Sequence, residues 1–240
     1  MVQIEKGSLF IVATPIGNLG DVTYRAIETL GKVHLVAAED TRRSRILLNH
    51  YQVRTPLSSY NSYNKIKKGR EFISFLNQGK DVALISDAGT PGISDPLFHL
   101  VKSAIGEKIT IHPIPGPAAV LAALNVSGLP MDRFLFEGFL PRKKGRKTRL
   151  EELACSERTV VIYESPNRIE KTLTDIFKYF GSRQTVIARE LTKIHEEAIR
   201  GSLEELISIT QNRKLKGEIT LVISGKSKRD KTSRENLVPV

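Results

Sequence analysis

The stretch "AEDTRRSRILL" places Glu39 and Asp40 directly after a short apolar run and follows them with Thr41, Arg42, Arg43 and Arg45 at the start of a helix-period segment. A carboxylate in that position can accept a proton or order a substrate hydroxyl, and arginines can hold phosphate. The same residues also suit an ordinary helix start, because Asp and Thr are both good N-caps. Two later stretches repeat the arrangement. "VIYESPNRI" sets Tyr163, Glu164 and Ser165 beyond an apolar run, with Asn167 and Arg168 opening a helix, and "ARELTKIHEE" does so with Arg189, Glu190, Thr192 and Lys193. These charges either face a site or pair as surface ions, which contribute little.

Three more apolar runs break into glycine and proline. They give "ATPIGNLGD" (13–21), "SDAGTPGISDP" (86–96) and "PIPGPAA" (113–119). Gly17, Gly89, Gly92 and Gly116 permit positive φ and close backbone approach, while Pro15, Pro91, Pro115 and Pro117 stiffen the turns. One such loop is only a tight turn. Together with "AEDTRRS" they make four strand ends, and in open α/β sheets the carboxyl ends of strands form the ligand crevice. Familiar alternatives do not fit. No G-x-G-x-x-G follows the first run, "GKS" at 225–227 has Thr220 where a phosphate-binding loop needs glycine, and "GISDP" lacks the second glycine of a nucleophile elbow. His34, His50, His99, His112 and His195 lack ligand spacing, so no metal is expected.

The strongest nucleic-acid signal is "FEGFLPRKKGRKTR" (136–149), whose last eight residues carry Arg142, Lys143, Lys144, Arg146, Lys147 and Arg149 without an acid, behind Phe139 and Pro141. Cations position a phosphate backbone and an aromatic ring can stack on a base. The plainer alternative is a solvated basic loop with Phe139 in the core. A formal net charge of +11 points to a polyanionic partner.

The elements that must position these residues alternate. Strands are expected at 9–13, 34–38, 82–86, 109–114, 134–139, 159–163, 185–188 and 219–224, mostly unalternated as in sheets covered on both faces. Helices are expected at 21–30, 41–51, 64–78, 167–180 and 202–214, which makes the class α/β. Asp21 is expected to N-cap the first helix and Gly31 to end it in a left-handed C-cap. The rigid Pro-Gly-Pro turn sets a junction near Pro115, giving domains at 1–115 and 116–225 and a basic, disordered tail at 226–240. Cys155, the single cysteine, excludes an internal disulfide and is expected to be a small buried apolar residue. No apolar run reaches about 18 residues and no leader precedes the first strand, so a cytoplasmic protein is expected.

The set "TPIGNLGD", "AEDTR", "SDAGTPGISDP", "PGPAA", "EGFLPRKKGRK", "YESPNR", "ARELTK" and "KGEITLVISG" closely resembles the bacterial 16S rRNA 2′-O-ribose methyltransferase I family, within the tetrapyrrole methylase superfamily, colinearly from about Gly7 to Gly225. The resemblance implies two α/β domains of the tetrapyrrole methylase type with the cofactor cleft between them. It also implies a homodimer that uses S-adenosylmethionine to methylate the ribose 2′-hydroxyl of a cytidine in the decoding region of 16S rRNA, in the small ribosomal subunit. The cofactor would lie against Pro15, the Ala88, Gly89 and Thr90 loop, Ile93, Ala118 and Ala119, with Tyr163 or Glu164 and Glu218 on the second-domain side and Asp87 shaping the loop. Many family members continue past "KGEITLVISG" into a helical extension, whereas here a short basic tail follows.

A 2′-hydroxyl is a poor nucleophile and needs a base. Glu39 or Asp40 is favoured over Glu190 and Lys193, with Arg42 as the orienting cation. A methyltransferase of a tetrapyrrole or other small metabolite is the alternative enzyme, and a non-catalytic RNA-binding module the alternative of a different class.

Overall fold

The structure, a computed structural model, describes residues 5–93 and 97–227. The tail expected at 226–240 lies outside the described residues from 228 onward, as do residues 94–96 of the third strand-end loop. The chain divides into two units at Ala118/Ala119. Among the described residues no helix is long and apolar enough to cross a membrane.

The first unit holds β1 (Leu9–Val12), α1 (Tyr24–Lys32), β2 (Leu35–Ala38), α2 (Thr41–His50), β3 (Leu57–Ser59), α3 (Lys65–Asn77), β4 (Val82–Ile85), α4 (Leu97–Gly106) and β5 (Ile111–Ile114). Its five strands are all parallel, in the order β3-β2-β4-β1-β5. The sequence of β4, VALI, is buried at every position because helices cover both faces of the sheet. Val82 and Leu84 pack with Phe72, Leu76, Leu100 and Ala104 from α3 and α4. Ala83 and Ile85 pack with Ala26, Leu30 and Leu48 from α1 and α2. The helix after β4 therefore covers the opposite face from the helices that follow its two neighbours, β2 and β1. Loops leaving adjacent strands toward opposite faces open a crevice at the strands' carboxyl ends, centred here on β4.

The second unit holds α5 (Ala119–Ser127), β6 (Phe134–Phe139), α6 (Arg146–Ala154), β7 (Thr159–Glu164), α7 (Ile169–Phe180), β8 (Gln184–Arg189), β9 (Glu197–Ser202), α8 (Leu203–Asn212) and β10 (Ile219–Ile223). The sheet order is β6-β7-β10-β8-β9, parallel between β6 and β7 and antiparallel elsewhere. Alternate residues of the central β10, namely Ile219, Leu221 and Ile223, join Leu150, Leu173, Ile176 and Leu206 of α6, α7 and α8 in one core. Helix α5 packs against β8, β9 and β10. A capping box at Ser202 and Glu205 starts α8.

Several local expectations are corrected. Helix α1 begins at Tyr24 with Thr23 as its cap, the hydroxyl accepting the Ala26 N–H at 3.1 Å, while Asp21 closes a separate 3-10 turn at Leu19–Asp21. Extended Val22 (φ −70°, ψ 140°) separates the two, so the cap moves to the next residue able to accept an N–H. Gly31 lies inside α1, which ends instead on extended Val33. Strands β3 and β9 are additional, as are α4, α5 and α6, the last running through part of the supposed basic loop. Cys155 is exposed just beyond the end of α6 rather than buried.

Candidate active site

The four strand-end loops of the first unit are stitched to one another. Asp87, after β4, accepts the Asp40 N–H through Oδ1 at 2.9 Å and approaches Arg43 through Oδ2 at 3.6 Å, which joins the β2 and β4 ends. Thr14 and Gly89 exchange backbone hydrogen bonds of 3.0 and 3.1 Å, joining the β1 and β4 ends. The Thr90 hydroxyl donates to the Pro117 carbonyl at 2.9 Å, joining the β4 and β5 ends. Within the β4 loop the Ser86 hydroxyl donates to the Gly89 carbonyl at 3.0 Å. Gly89 has φ +83°, and an added Cβ would stand 3.0 Å from Ile16 and 3.3 Å from the Pro117 carbonyl, so glycine is required there.

Around this seam Pro15 and Gly89 are buried, Ala88 is exposed, and Thr90, Ile93 and Ala118 are half-buried; Ala119, half-buried too, opens the second unit. The expected residues from Pro15 to Ala118 thus gather on one end of one sheet. Asp87 holds two loops together, and its carboxylate is directed at Asp40 and Arg43. Thr90 is among the residues expected at the cofactor, whereas Thr14 is not, and only its place in the first proline-glycine turn marks it.

Asp40 N-caps α2, accepting the Arg42 N–H at 2.9 Å, and also binds the Arg42 guanidinium at 3.1 and 2.7 Å. These bonds, the Arg42 side chain first, hold its carboxyl far below the usual range. A carboxylate so stabilised is a weak proton acceptor. Glu39 is half-buried at the end of β2.

The second unit accounts for its candidate charges differently. Glu164 is fully buried. Its carboxylate accepts the Ser165 N–H at 2.7 Å and the Thr172 hydroxyl at 2.6 Å, and Arg168 lies 3.3 Å away. Thr172 in turn accepts from Arg146 at 2.9 Å, and Arg146 pairs with Asp175 at 2.8 Å. Both Glu164, expected on a cofactor, and Arg146, expected on RNA, are therefore members of one buried polar network. The expectation for Arg146 is corrected: with its side chain only 10% exposed it is turned inward, away from any phosphate. Arg149 is likewise engaged, with Glu137 at 2.6 Å and Glu152 at 2.8 Å. Lys147 lies 3.7 Å from Glu151 and is well exposed. Arg142, Lys143 and Lys144 are exposed and form no ion pair among the described residues.

Tyr163 is half-buried with its ring against Phe136 and Phe139. Burial raises its phenol pKa, partly offset by a backbone hydrogen bond at Val120. Glu190 and Thr192 adopt positive φ of 47° and 67°, and Glu190 lies over Gly217, where any Cβ would collide with its carboxylate. Lys193 bridges Glu190 at 2.9 Å and Glu218 at 3.1 Å. Burial pushes Glu190 up, but the Glu218 N–H and Lys193 outweigh it and leave it below its ordinary value. Burial pushes Lys193 down, but the two carboxylates outweigh it and leave it above. Lys193 so held keeps its proton and has no lone pair to offer, and Glu190, paired with it, is a weakened proton acceptor.

Comparison with known proteins identifies the family. The tetrapyrrole (corrin/porphyrin) methylase family matches residues 8–207. A protein of Thermotoga maritima named ribosomal RNA small subunit methyltransferase I is 49% identical over 92% of this chain and 99% of its own length. Its namesake in Halalkalibacterium halodurans is 48% identical over 98% of this chain and 83% of its own. Among solved structures, a cobalt precorrin-4 methyltransferase of cobalamin biosynthesis aligns with a TM-score of 0.69 at 15% identity, covering 90% of this chain and 94% of its own. The uroporphyrin-III C-methyltransferase of Thermus thermophilus, complexed with S-adenosylhomocysteine, gives 0.65 at 15% identity over 91% and 97%. At that identity the two structures share the fold.

Proposed function

Because the chain belongs to the tetrapyrrole methylase family, and within it to the ribosomal RNA small subunit methyltransferase I proteins, we propose that it methylates the ribose 2′-hydroxyl of a cytidine in the decoding region of 16S rRNA, using S-adenosylmethionine. The observation that carries this reading is the near-half identity with proteins of that name along almost the whole chain. The exposed cations Arg142, Lys143 and Lys144, consecutive along an open turn, suit an extended phosphate backbone. The protein acts in this reading as a cytoplasmic homodimer on the small subunit.

The β4 loop fits the cofactor. Exposed Ala88 presents no bulky side chain, and buried Gly89 fixes the turn through its bonds to Thr14 and Ser86, which suits a nucleoside lying over a rigid small-residue loop. Pro15, Ala88, Gly89, Thr90, Ile93 and Ala118 would hold it, and Asp87 would hold the loop. When bound, S-adenosylmethionine supplies an electrophilic methyl carbon for in-line displacement by the ribose oxygen. The chain's own task is then alignment, which can supply several kcal/mol of order-of-magnitude acceleration. Glu39 is the proposed acceptor of the 2′-hydroxyl proton, since Asp40 is held as a stable anion by Arg42. Arg42 presents its remaining donors to the RNA.

The test is transfer of a labelled methyl group from S-adenosylmethionine to small subunits that lack the modification, followed by mapping of the label. Label on a ribose in the decoding region is expected. Label on no RNA, or on a base, overturns the assignment.

A further inference from the structure

We propose that Phe139 is a stacking platform for one unstacked nucleobase of the RNA substrate, with Arg142, Lys143 and Lys144 on the neighbouring phosphates. The inference rests on the function proposed above and names the part of the surface that grips the strand. It begins with an irregularity in β6. The register against β7 shifts between Phe136 and Gly138, and Gly138 has φ +71°. In an uninterrupted strand Phe136 and Phe139 would point to opposite faces, and Phe139 would enter the core beneath α6 and α7. The bulge re-aims it. Both rings now meet Tyr163 edge-on, with centroids 4.9 and 5.7 Å away. Phe136 is half-buried, but Phe139 remains 56% exposed, and Leu140 beside it is buried.

The turn after Phe139 is clamped from below. The Leu140 carbonyl accepts Arg168 at 3.1 Å, the Pro141 carbonyl accepts Arg146 at 3.2 Å, and the Lys143 carbonyl accepts the Arg146 N–H at 3.2 Å. Three exposed cations on a fixed turn next to a fixed exposed ring form a preorganised surface, so little ordering is lost on binding. Single-stranded nucleic acid is bound by this combination, a cationic track with aromatic faces that accept bases in any sequence. A protein partner is disfavoured, because lysine is depleted in the cores of protein interfaces.

The test uses the full chain and a fluorescein-labelled single-stranded RNA of about 12 nucleotides, read by anisotropy. Phe139→Ala is expected to weaken binding about 5- to 100-fold, the range of base–aromatic stacking. Phe139→Trp should keep the affinity, whereas Phe139→Leu, apolar but without a π face, should fall with alanine. A fully abasic strand should cost the wild type affinity and the alanine variant little. If leucine binds as well as phenylalanine, the platform is wrong. If Phe139→Ala leaves RNA affinity intact but changes the sedimentation of the protein, the ring belongs to an interface between copies of the chain and the proposal falls. Should the wild type label small subunits while Phe139→Ala does so with unchanged KM, only this inference fails; should the wild type label none, the proposed function fails on its own measurement.

Discussion

Thr172 offers the sharpest test of how the basic segment is held. Its side chain is fully buried at the first turn of α7, where its hydroxyl donates to Glu164 at 2.6 Å and accepts from Arg146 at 2.9 Å. Thr172→Val keeps the shape and removes both bonds. Each surviving charge keeps other partners: Glu164 retains the Ser165 N–H and Arg168, and Arg146 retains Asp175 and the Pro141 carbonyl. The loss is therefore that of two charge-assisted hydrogen bonds with partial compensation, about 2–4 kcal/mol, below the roughly 3–5 kcal/mol expected when a buried ion loses its counter-ion outright. For a chain of this size that lowers Tm by roughly 5–15 °C. Calorimetric melting of Thr172→Val beside Lys147→Met, which breaks only an exposed pair and should change stability by about 0.5 kcal/mol or less, measures the contrast. Equal melting of the two variants would refute the network. The same logic makes Arg146→Met destabilising, whereas an arginine engaged with RNA would leave Tm unmoved.

Gly89→Ala should destabilise by about 1–3 kcal/mol and weaken S-adenosylmethionine binding in calorimetry, because φ +83° is strained for any L side chain and the new methyl meets Ile16. Asp87→Ala strands the Asp40 N–H and should cost about 1–3 kcal/mol in urea unfolding, with Asp87→Asn milder because it keeps an acceptor. Replacing Arg142, Lys143 and Lys144 together by Gln should flatten the salt dependence of RNA binding by up to about 2 in log–log slope, at roughly 0.7 per phosphate on single strands, and an unchanged slope removes them from the interface. Glu39→Gln should lower kcat about 10²- to 10⁴-fold, with Asp40→Asn affecting stability more than rate. Asp40 has a depressed pKa, so its stabilisation is complete above the ordinary value of 3.8 and fades as pH falls below it. Wild-type and Asp40→Asn melting curves should accordingly differ by a constant amount from about pH 5 to 9 and converge in strong acid.

What was legible in the sequence was set by local chemistry. The unalternated run of β4 announced a sheet covered on both faces, and the glycine-proline turns announced strand ends, because both depend on residues a few positions apart. Strand β9 was hidden because Glu197–Ser202 is a half-buried edge strand with no apolar run. Helix α6 was hidden because its first turn is cationic, against the helix dipole, and reads as a loop.

The candidate site divides along the same line. Asp40, Glu164, Glu190, Lys193 and Arg146 each look reactive as residue types, but each is held by partners, near in sequence for Asp40 (Arg42) and for Glu190 and Lys193 (each other) and distant for the buried network. For Arg146 those partners are Thr172 and Asp175, far along the chain in α7. A charge stabilised in one protonation state by such a partner is a poor acid or base, and a buried one is a poor ligand for phosphate. Subtracting the basic-segment charges that the fold already pairs leaves Arg142, Lys143 and Lys144 as the proposed phosphate contacts, while Glu39 is proposed over Asp40 because Arg42 holds Asp40 as a stable anion. The bulge that exposes Phe139 beside them is consistent with a strand built to hold RNA rather than to complete a core.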